Sequence, residues 1–219
     1  MLYLCALPAT VQSAIAFTSL ARGNIAAAIC SAAASSLLGI FLTPLLVALL
    51  LGVQGEGGST LDAIGKITLQ LLVPFIAGQL ARRWLAGWVE RNKHWLRYVD
   101  QGSILLVVYT AFSAAVVQGL WQQVPTAALL GLVVVCCVLL GIVLCLTRLF
   151  GRLLGFDVAD RITIVFCGSK KSLATGVPMA QVPCAGVAIG MLILPLMLFH
   201  QIQLMVCAVL AERYGRRPE

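Results

Sequence analysis

The sequence predicts an all-α membrane protein, a multi-span bundle of about seven transmembrane helices in which two helices are broken and cross. Of its 219 residues 61% are hydrophobic and 11% are charged, and the mean hydropathy is +1.01. An ordinary soluble domain carries about 25% charged residues, so this composition cannot build a water-facing surface. Apolar stretches of about 20 residues recur between short charged segments, as a hydrocarbon core about 30 Å thick requires of spanning helices.

The apolar stretches define the candidate spans in order along the chain. They cover about residues 1–20, 24–52, 61–81, 99–119, 125–148, 158–181 and 184–211. A further segment, residues 86–98, carries Trp88, Trp95 and Tyr98 among basic residues and is expected to form an interfacial helix that acts as an aromatic anchor.

Basic residues fall in alternate connections between these spans. They are Arg22; Arg82, Arg83, Arg91, Lys93 and Arg97; Arg148, Arg152 and Arg161; and Arg213, Arg216 and Arg217. The remaining connections hold Glu56, Asp62, Gln122, Gln123 and Gln181, with Lys66 as the single nearby cation. The positive-inside rule then predicts an extracytoplasmic N-terminus and a cytoplasmic C-terminus in a plasma membrane, the inner membrane of a bacterium. The net charge of +7 is therefore attributed to topology and not to nucleic-acid binding.

Two spans carry polar interruptions near their middle. The first contains LPATVQS around Pro8, and the sixth contains CGSKKS around Gly168. Proline lacks a backbone donor and glycine permits conformations that other residues resist, so both helices are expected to break. The two spans run in opposite directions, as inverted repeats do, and paired broken helices at corresponding positions predict a binding site between them.

Lys170 and Lys171 are the ionisable side chains placed well inside a span. A charge at that depth costs at least about 2.5 kcal/mol on insertion scales, so it usually faces a cavity and has a role. Three interpretations stay open: a fixed cation that holds an anionic substrate, a titrating group coupled to protons, or a structural plug whose ammonium bonds carbonyls released at the break.

Hydroxyl and amide side chains beside the breaks complete the predicted substrate or ion site. They are Thr10, Gln12, Ser13, Ser169 and Ser172, which could equally satisfy the local backbone. His200, Gln201 and Gln203 in the last span are interpreted as interhelical hydrogen-bonding groups and not as ligands.

Enzymatic, metal and cofactor chemistry are not predicted. The chain has no HExxH or GxSxG motif and no pair of acidic residues inside a span. Its eight cysteines lie mostly in apolar runs without a CxxC pair, which is typical of buried thiols.

Three segments resemble the bile acid:sodium symporter family, and more narrowly its branch found in bacteria and animals. They are PATVQSAIAFTSLARGN at residues 8–24, LTPLL ending at Leu46, and FCGSKKSLATGVPMA at residues 166–180. The resemblance implies a transporter of ten spans in two inverted five-span repeats, with the fourth and ninth helices broken and crossing.

By this resemblance the chain corresponds to spans four to ten, so three N-terminal spans are expected to be missing before Met1. Residues 1–52 then form the end of the first repeat, a broken helix and the helix after it, both in the core domain. Residues 53–219 form the second repeat, with panel helices over about 61–119 and core helices over about 125–211.

The family's sodium ligands are matched only in part. The resemblance places Ser13 and Ala14 near the family's Ser-Asn pair, Ala28 and Ala32 at hydroxyl ligands, Phe166 at a glutamate and Lys170 at a glutamine. Sodium needs oxygen donors, which Ala, Phe and Lys side chains lack. We therefore hypothesise that the Lys170 ammonium stands where the bound cation would sit, which leaves transport uncoupled from sodium or coupled to protons.

The predicted function is a secondary active transporter that moves a small organic solute, expected to be anionic, across the membrane by alternating access. The alternative is a truncated, nontransporting remnant or a structural membrane subunit. The coupling ion is proton or sodium, and the sequence predicts neither the substrate nor the oligomeric state.

Overall fold

The computed structural model describes residues 1–51, 60–117, 119, 125–181 and 189–217, and every regular element in these ranges is an α-helix. In chain order the helices are α1 (Leu2–Ala6), α2 (Val11–Leu20), α3 (Ile25–Leu51), α4 (Thr60–Arg91), α5 (Lys93–Val117), α6 (Thr126–Leu153), α7 (Val158–Gly168), α8 (Leu173–Gln181) and α9 (Ile189–Gly215). An all-helical membrane fold was predicted, and the described helices agree with it.

Both predicted helix breaks are present. The first predicted span is divided into α1 and α2 by residues 7–10, where Leu7 and Thr10 have extended backbone. The sixth is divided into α7 and α8 by residues 169–172. Each predicted span therefore consists of two short helices joined by a few non-helical residues.

The predicted interfacial helix over residues 86–98 is not a separate element. Helix α4 continues ten residues beyond the predicted end of its span, to Arg91, and α5 begins at Lys93 after a turn at Asn92. No Gly or Pro follows Gly87 in this segment, so no helix-breaking residue ends α4 at the predicted boundary. The aromatic residues of the segment stay exposed on the ends of two long helices, with Trp88 54% and Trp95 68% accessible.

Three segments of the described chain are long and apolar enough to cross a membrane: Ile25–Thr43, Thr126–Leu153 and Ile193–Gly215. Helix α6 shows how such a helix meets lipid. Most of its exposed large side chains recur every three or four residues: Leu130, Val134, Val138, Ile142, Leu146, Leu149 and Leu153. That spacing forms one apolar stripe along the helix, which suits acyl chains and not water.

The largest buried cluster surrounds α1 and brings it against α6, α8 and α9. Its members include Tyr3, Leu4, Val177, Leu196 and Phe199, none more than 2% accessible. Helix α1 has only five residues, so this packing, and not helix propensity, holds it in place.

A close approach at a glycine fixes the first break against α3. A Cβ atom added to Gly39 would stand 2.6 Å from Cβ of Pro8. The Thr43 hydroxyl on the same helix donates to the carbonyl of Ala6 over 3.0 Å. Helix α3 thus supports the end of α1 and the start of the break.

Candidate functional site at the crossing of the broken helices

The two helix breaks touch each other directly. The backbone N–H of Ser172 donates to the carbonyl oxygen of Pro8 over 3.1 Å. The Thr10 hydroxyl donates to the carbonyl oxygen of Lys171 over 2.8 Å. Segments more than 160 positions apart in sequence therefore satisfy part of each other's unwound backbone, as a break at this depth requires.

Lys171 binds the C-terminal end of α1. Its Nζ donates to the carbonyl oxygens of Cys5 and Leu7, each over 2.9 Å. The last carbonyls of a helix lack partners within the helix and carry partial negative charge, so an ammonium there is stabilising. Of the three interpretations of the lysine pair, these contacts match the structural plug for Lys171.

Gln203 of α9 holds the backbone of Lys171 from the other side. Its Oε1 accepts from the Lys171 N–H over 2.9 Å, and its Nε2 donates to the Lys171 carbonyl over 3.1 Å. His200 Nδ1 lies 3.2 Å from the same carbonyl and from Gln203 Nε2. The predicted interhelical role of His200 and Gln203 is confirmed by these contacts, whereas Gln201 is exposed.

Ser172 caps the second half of the broken helix. Its Oγ accepts from the backbone N–H of Thr175 over 3.2 Å and from the Thr175 hydroxyl. A serine at this position satisfies one of the unpaired donors at the start of a helix. The Ser172 side chain is buried, and its hydroxyl forms hydrogen bonds within α8. These contacts match the interpretation in which the hydroxyls beside the breaks satisfy the local backbone.

Lys170 lies in very different surroundings from its neighbour. It is 1% accessible, and its Nζ has no hydrogen bond of normal geometry to any described residue. The ammonium stands 4.1 Å from the centroid of the Phe17 ring and 6.0 Å from that of Phe166. Its polar neighbours include the thiols of Cys207 and Cys167, and His200 is also within electrostatic range. A cation over an aromatic face is attracted to it, but that contact occupies none of the ammonium's hydrogen-bond donors, and a thiol is only a weak acceptor.

Several buried hydroxyls near the crossing also lack partners within the described residues. The oxygen atoms are those of Ser13, Thr18 and Ser169. Thr18 follows Phe17 on α2, and Ser169 precedes Lys170 in the break. The Cys167 thiol interacts with both Thr18 and Lys170, which places these groups around one neighbour. Buried polar groups are normally hydrogen-bonded, so unpaired donors and acceptors in one region are available to water or a ligand.

Gln12 does not belong to this group. It is exposed, and its Nε2 donates to the Asp100 carboxylate of α5 over 3.0 Å. Gln12 lies one residue before Ser13 on α2, and consecutive helical residues point about 100° apart. The predicted site membership of Gln12 is therefore not matched by its position, which links α2 to α5 instead.

Gly168 is required for a different reason from the one predicted. The glycines with positive φ in the described chain are Gly119 and Gly155, so Gly168 does not use its backbone freedom. A Cβ atom at Gly168 would stand 2.9 Å from Cγ2 of Thr147 on α6. The residue allows α6 and α7 to approach closely, and the break begins after it, at Ser169.

The sequence interpretation missed Phe17, whose ring lies against the Lys170 ammonium, and Thr18, which neighbours the Cys167 thiol. Phe17 follows Ser13 by four residues on the same helix, a spacing that puts both on one face. That spacing was a usable signal. No sequence signal indicated that Cys207 lies near Lys170, because only tertiary packing brings α9 to the crossing.

Other cavities and side-chain clusters in the described chain are weaker candidates for a functional site. A groove of about 670 Å³ follows α4 near Phe75, Arg82 and Lys93, away from the crossing, and buried polar groups do not converge on it. Within the described ranges no three His, Cys, Asp or Glu side chains lie close enough to hold a metal ion.

Comparison with known proteins connects this geometry to a family of transporters. The chain is 75% identical over 217 residues to an uncharacterized protein of Pseudomonas aeruginosa, covering 99% of this chain and 65% of that protein. It is 65% identical over 218 residues to YfeH of Escherichia coli, named as a candidate symporter, covering 100% of this chain and 65% of that protein. It is 32% identical over 207 residues to sodium/bile acid cotransporter 7 of Rattus norvegicus, covering 93% of this chain and 60% of that protein.

The chain thus spans about two thirds of the length of these relatives, 65% for the two bacterial proteins. Residues 1–216 match the family description as one continuous segment. The resemblance inferred from the three sequence segments is confirmed, and with it a multi-pass membrane protein of a transporter family. The chain belongs to the SBF-like CPA transporter family.

Proposed function

We propose that this chain contributes the binding site of a secondary active transporter that moves a small organic anion by alternating access around the two crossed helix breaks. The observation that carries the proposal is Lys170, a buried ammonium that forms no ion pair and no hydrogen bond of normal geometry with any described residue and has the Cys207 and Cys167 thiols as neighbours. Leaving a buried charge unpaired is strongly unfavourable, so a site of this kind is stabilised when an anion reaches it.

The helix ends at the crossing add to this positive potential. Helices α2 and α8 both begin at a break, directly after Thr10 and Ser172. The N-terminus of a helix carries partial positive charge and backbone donors that lack helical partners. The N-terminus of α8 begins three residues after Lys170 and favours a carboxylate or sulfonate, and the hydroxyls of Ser13 and Ser169 supply further donors.

The coupling ion is proposed from the residues that replace oxygen ligands. Ala28 and Ala32 are fully buried or nearly so, and Phe166 is 0% accessible with its ring beside the ammonium. None of these side chains offers an oxygen to sodium. We therefore propose that the Lys170 ammonium replaces a bound sodium ion, with transport that is proton-coupled or uncoupled.

The finer arrangement belongs to the same proposal. It comprises about seven spans in this chain, core helices on either side of two panel helices, a pseudo-symmetric relation between the two broken helices, and a cytoplasmic C-terminus. Two observations support this arrangement. The two broken helices are predicted to cross the membrane in opposite directions, and arginines cluster at one end of the bundle.

The test is uptake into proteoliposomes. Radiolabelled organic anions, including a bile acid because the rat relative is named for one, are supplied to vesicles that contain this chain or, as a full-length control, its Escherichia coli relative. Sodium and pH gradients are varied independently. We expect uptake by this chain to follow the pH gradient or neither gradient, and Lys170→Gln to reduce it at least about tenfold, the effect of losing one charged hydrogen bond.

The outcomes separate the components of the proposal. Strict sodium dependence in the unaltered chain overturns the replacement of sodium by Lys170. Unchanged uptake and ion dependence in Lys170→Gln overturns the role of the lysine. Absence of uptake by this chain alongside uptake by the full-length control supports the nontransporting alternative.

A further inference from the structure

A second positively charged site lies at the predicted cytoplasmic ends of the helices. The ends of α6, α7 and α9 enclose a cleft of about 150 Å³. Arg148 and Arg152 of α6, Arg161 of α7 and Tyr214 of α9 contribute its polar lining. The transport site does not use these side chains.

The cleft is built by close packing of two helices. Arg148 and Arg152 are one turn apart on α6, with Gly151 between them. A Cβ atom at Gly151 would stand 3.1 Å from Cγ of Arg161, so the glycine lets that side chain cross the surface of α6. Tyr214 is held at the other wall by an edge-to-face contact with Phe166, centroid to centroid 6.2 Å.

The three arginines are not neutralised within the described part of the chain. None of them forms an ion pair there, where the ion pairs are Lys93–Glu90 and Arg216–Glu212. The nearby carboxylates are engaged in other contacts. Asp157 accepts from the Asp160 N–H over 2.8 Å at the start of α7, and Asp160 accepts from the Asn24 side chain over 2.8 Å. Arg161 Nε donates to the Asp157 carbonyl over 3.3 Å, which leaves the positive charge of the group uncompensated. Three guanidinium groups that line one cleft place like charges on the same small volume, which a bound anion would offset.

Apolar side chains adjoin the cleft arginines, which favours a lipid as the source of the anion. Val158 lines the cleft, and Leu149 and Leu153, exposed on α6, follow Arg148 and Arg152 directly in sequence. Leu149 and Leu153 belong to the apolar stripe of α6, which ends at this cleft. An anion bound here would lie where the stripe meets the aqueous boundary, the level of lipid headgroups.

We propose that this cleft binds the phosphate group of an anionic membrane phospholipid whose acyl chains lie along the α6 stripe. Arginine suits this role because its planar fork donates two parallel hydrogen bonds to phosphate oxygens. Lipid bound here would bridge α6, α7 and α9 beside Phe166, whose ring also contacts the transport site.

The test measures lipid binding to the purified, delipidated chain by native mass spectrometry. Phosphatidylglycerol is titrated against phosphatidylcholine, and inorganic phosphate is added as a competitor. We expect saturable binding of phosphatidylglycerol that millimolar phosphate does not displace. Replacement of all three cleft arginines by Gln is expected to weaken it about tenfold or more, since the charge-assisted hydrogen bonds from the cleft to the phosphate group are lost.

A matched variant controls for net charge. Arg82→Gln, Arg83→Gln and Arg97→Gln together remove the same charge from exposed positions on α4 and α5. This control is expected to bind phosphatidylglycerol within about twofold of the unaltered chain. Equal weakening in both triple variants would mean that binding follows total charge, and the cleft would be excluded.

Two further outcomes keep the proposal falsifiable. Displacement of phosphatidylglycerol by inorganic phosphate at similar concentration would assign the cleft to a soluble anion and overturn the lipid source. If the triple variant does not fold, Arg152→Glu alone reverses one exposed charge, and unchanged affinity in that variant would also overturn the proposal.

Discussion

The adjacent residues Lys170 and Lys171 have the same side chain and opposite surroundings. Lys171 reaches two carbonyl oxygens at the end of α1, whereas the Lys170 ammonium lies over the Phe17 ring without a hydrogen-bonded partner among the described residues. One lysine is therefore expected to stabilise the fold, and the other to reduce stability in exchange for function.

Replacing each lysine by Met tests this difference, because Met keeps the length of the side chain and removes the charge. Lys171→Met is expected to lower the free energy of unfolding by about 3 kcal/mol, since two charged hydrogen bonds are lost and two carbonyls are left unpaired. Lys170→Met is expected to leave stability unchanged or raise it.

The measurement is equilibrium unfolding of the purified chain in mixed micelles, with each variant compared with the unaltered protein. The Lys170→Met variant serves as the control for loss of charge at this depth. A similar loss of stability in both variants would contradict the assignment of separate roles.

At the scale of helices, the crossing depends on how closely α3 approaches the first break. Gly39 faces Pro8, whose ring cannot rotate away, and an added Cβ would stand 2.6 Å from the proline Cβ. The shape of the break is therefore set partly by a residue that makes no polar contact with it.

The substitution Gly39→Ala is expected to destabilise the protein by about 1–3 kcal/mol, the usual effect of overpacking a close helix contact. The physical reason is displacement of α3 from Pro8, which also strains the hydrogen bond from Thr43 to Ala6. Thermal unfolding in detergent measures the change.

Gly141→Ala is the matched control, because no atom lies within 4 Å of the added Cβ on α6. It is expected to be neutral or to stabilise by up to about 1 kcal/mol through helix propensity. A Gly39→Ala variant as stable as Gly141→Ala would show that α3 does not press on the break.

For the whole molecule, the structure gathers basic residues from separate connections at one end. Arg217 donates to the carbonyl of Arg22 over 2.8 Å, and Arg148, Arg152 and Arg161 share a cleft with Tyr214. Residues from the first connection, the fifth connection and the C-terminal segment thus lie on the same side, as the positive-inside argument requires of them.

The corresponding prediction concerns orientation in a bacterial inner membrane. A green fluorescent protein fused after Arg217 is expected to fluoresce, and alkaline phosphatase fused there is expected to be inactive, because the phosphatase folds only outside the cytoplasm. A phosphatase fusion after Gly119, in a connection predicted to be extracytoplasmic, is the control and is expected to be active. An active phosphatase at the C-terminus would reverse the proposed topology.

The sequence by itself determined that the protein lies in a lipid bilayer, where both helix breaks fall and which family the chain belongs to. Low charge and long apolar runs require a bilayer, since few polar side chains are present to cover a soluble surface. Pro8 and the polar residues after Gly168 interrupt helices through local chemistry, which neighbouring residues alone decide. These features depend on composition and on contacts along the chain.

Only the tertiary structure decided which polar groups meet. Lys171 bonds to Cys5 and Leu7, at sequence separations of 166 and 164, while Gln12 turns away toward Asp100. Which neighbouring helix a side chain faces depends on how distant helices pack, and the sequence carries no local signal for that packing. For the same reason the ten-residue extension of α4 and the true role of Gly168, its approach to Thr147, became evident only once the helices were in place.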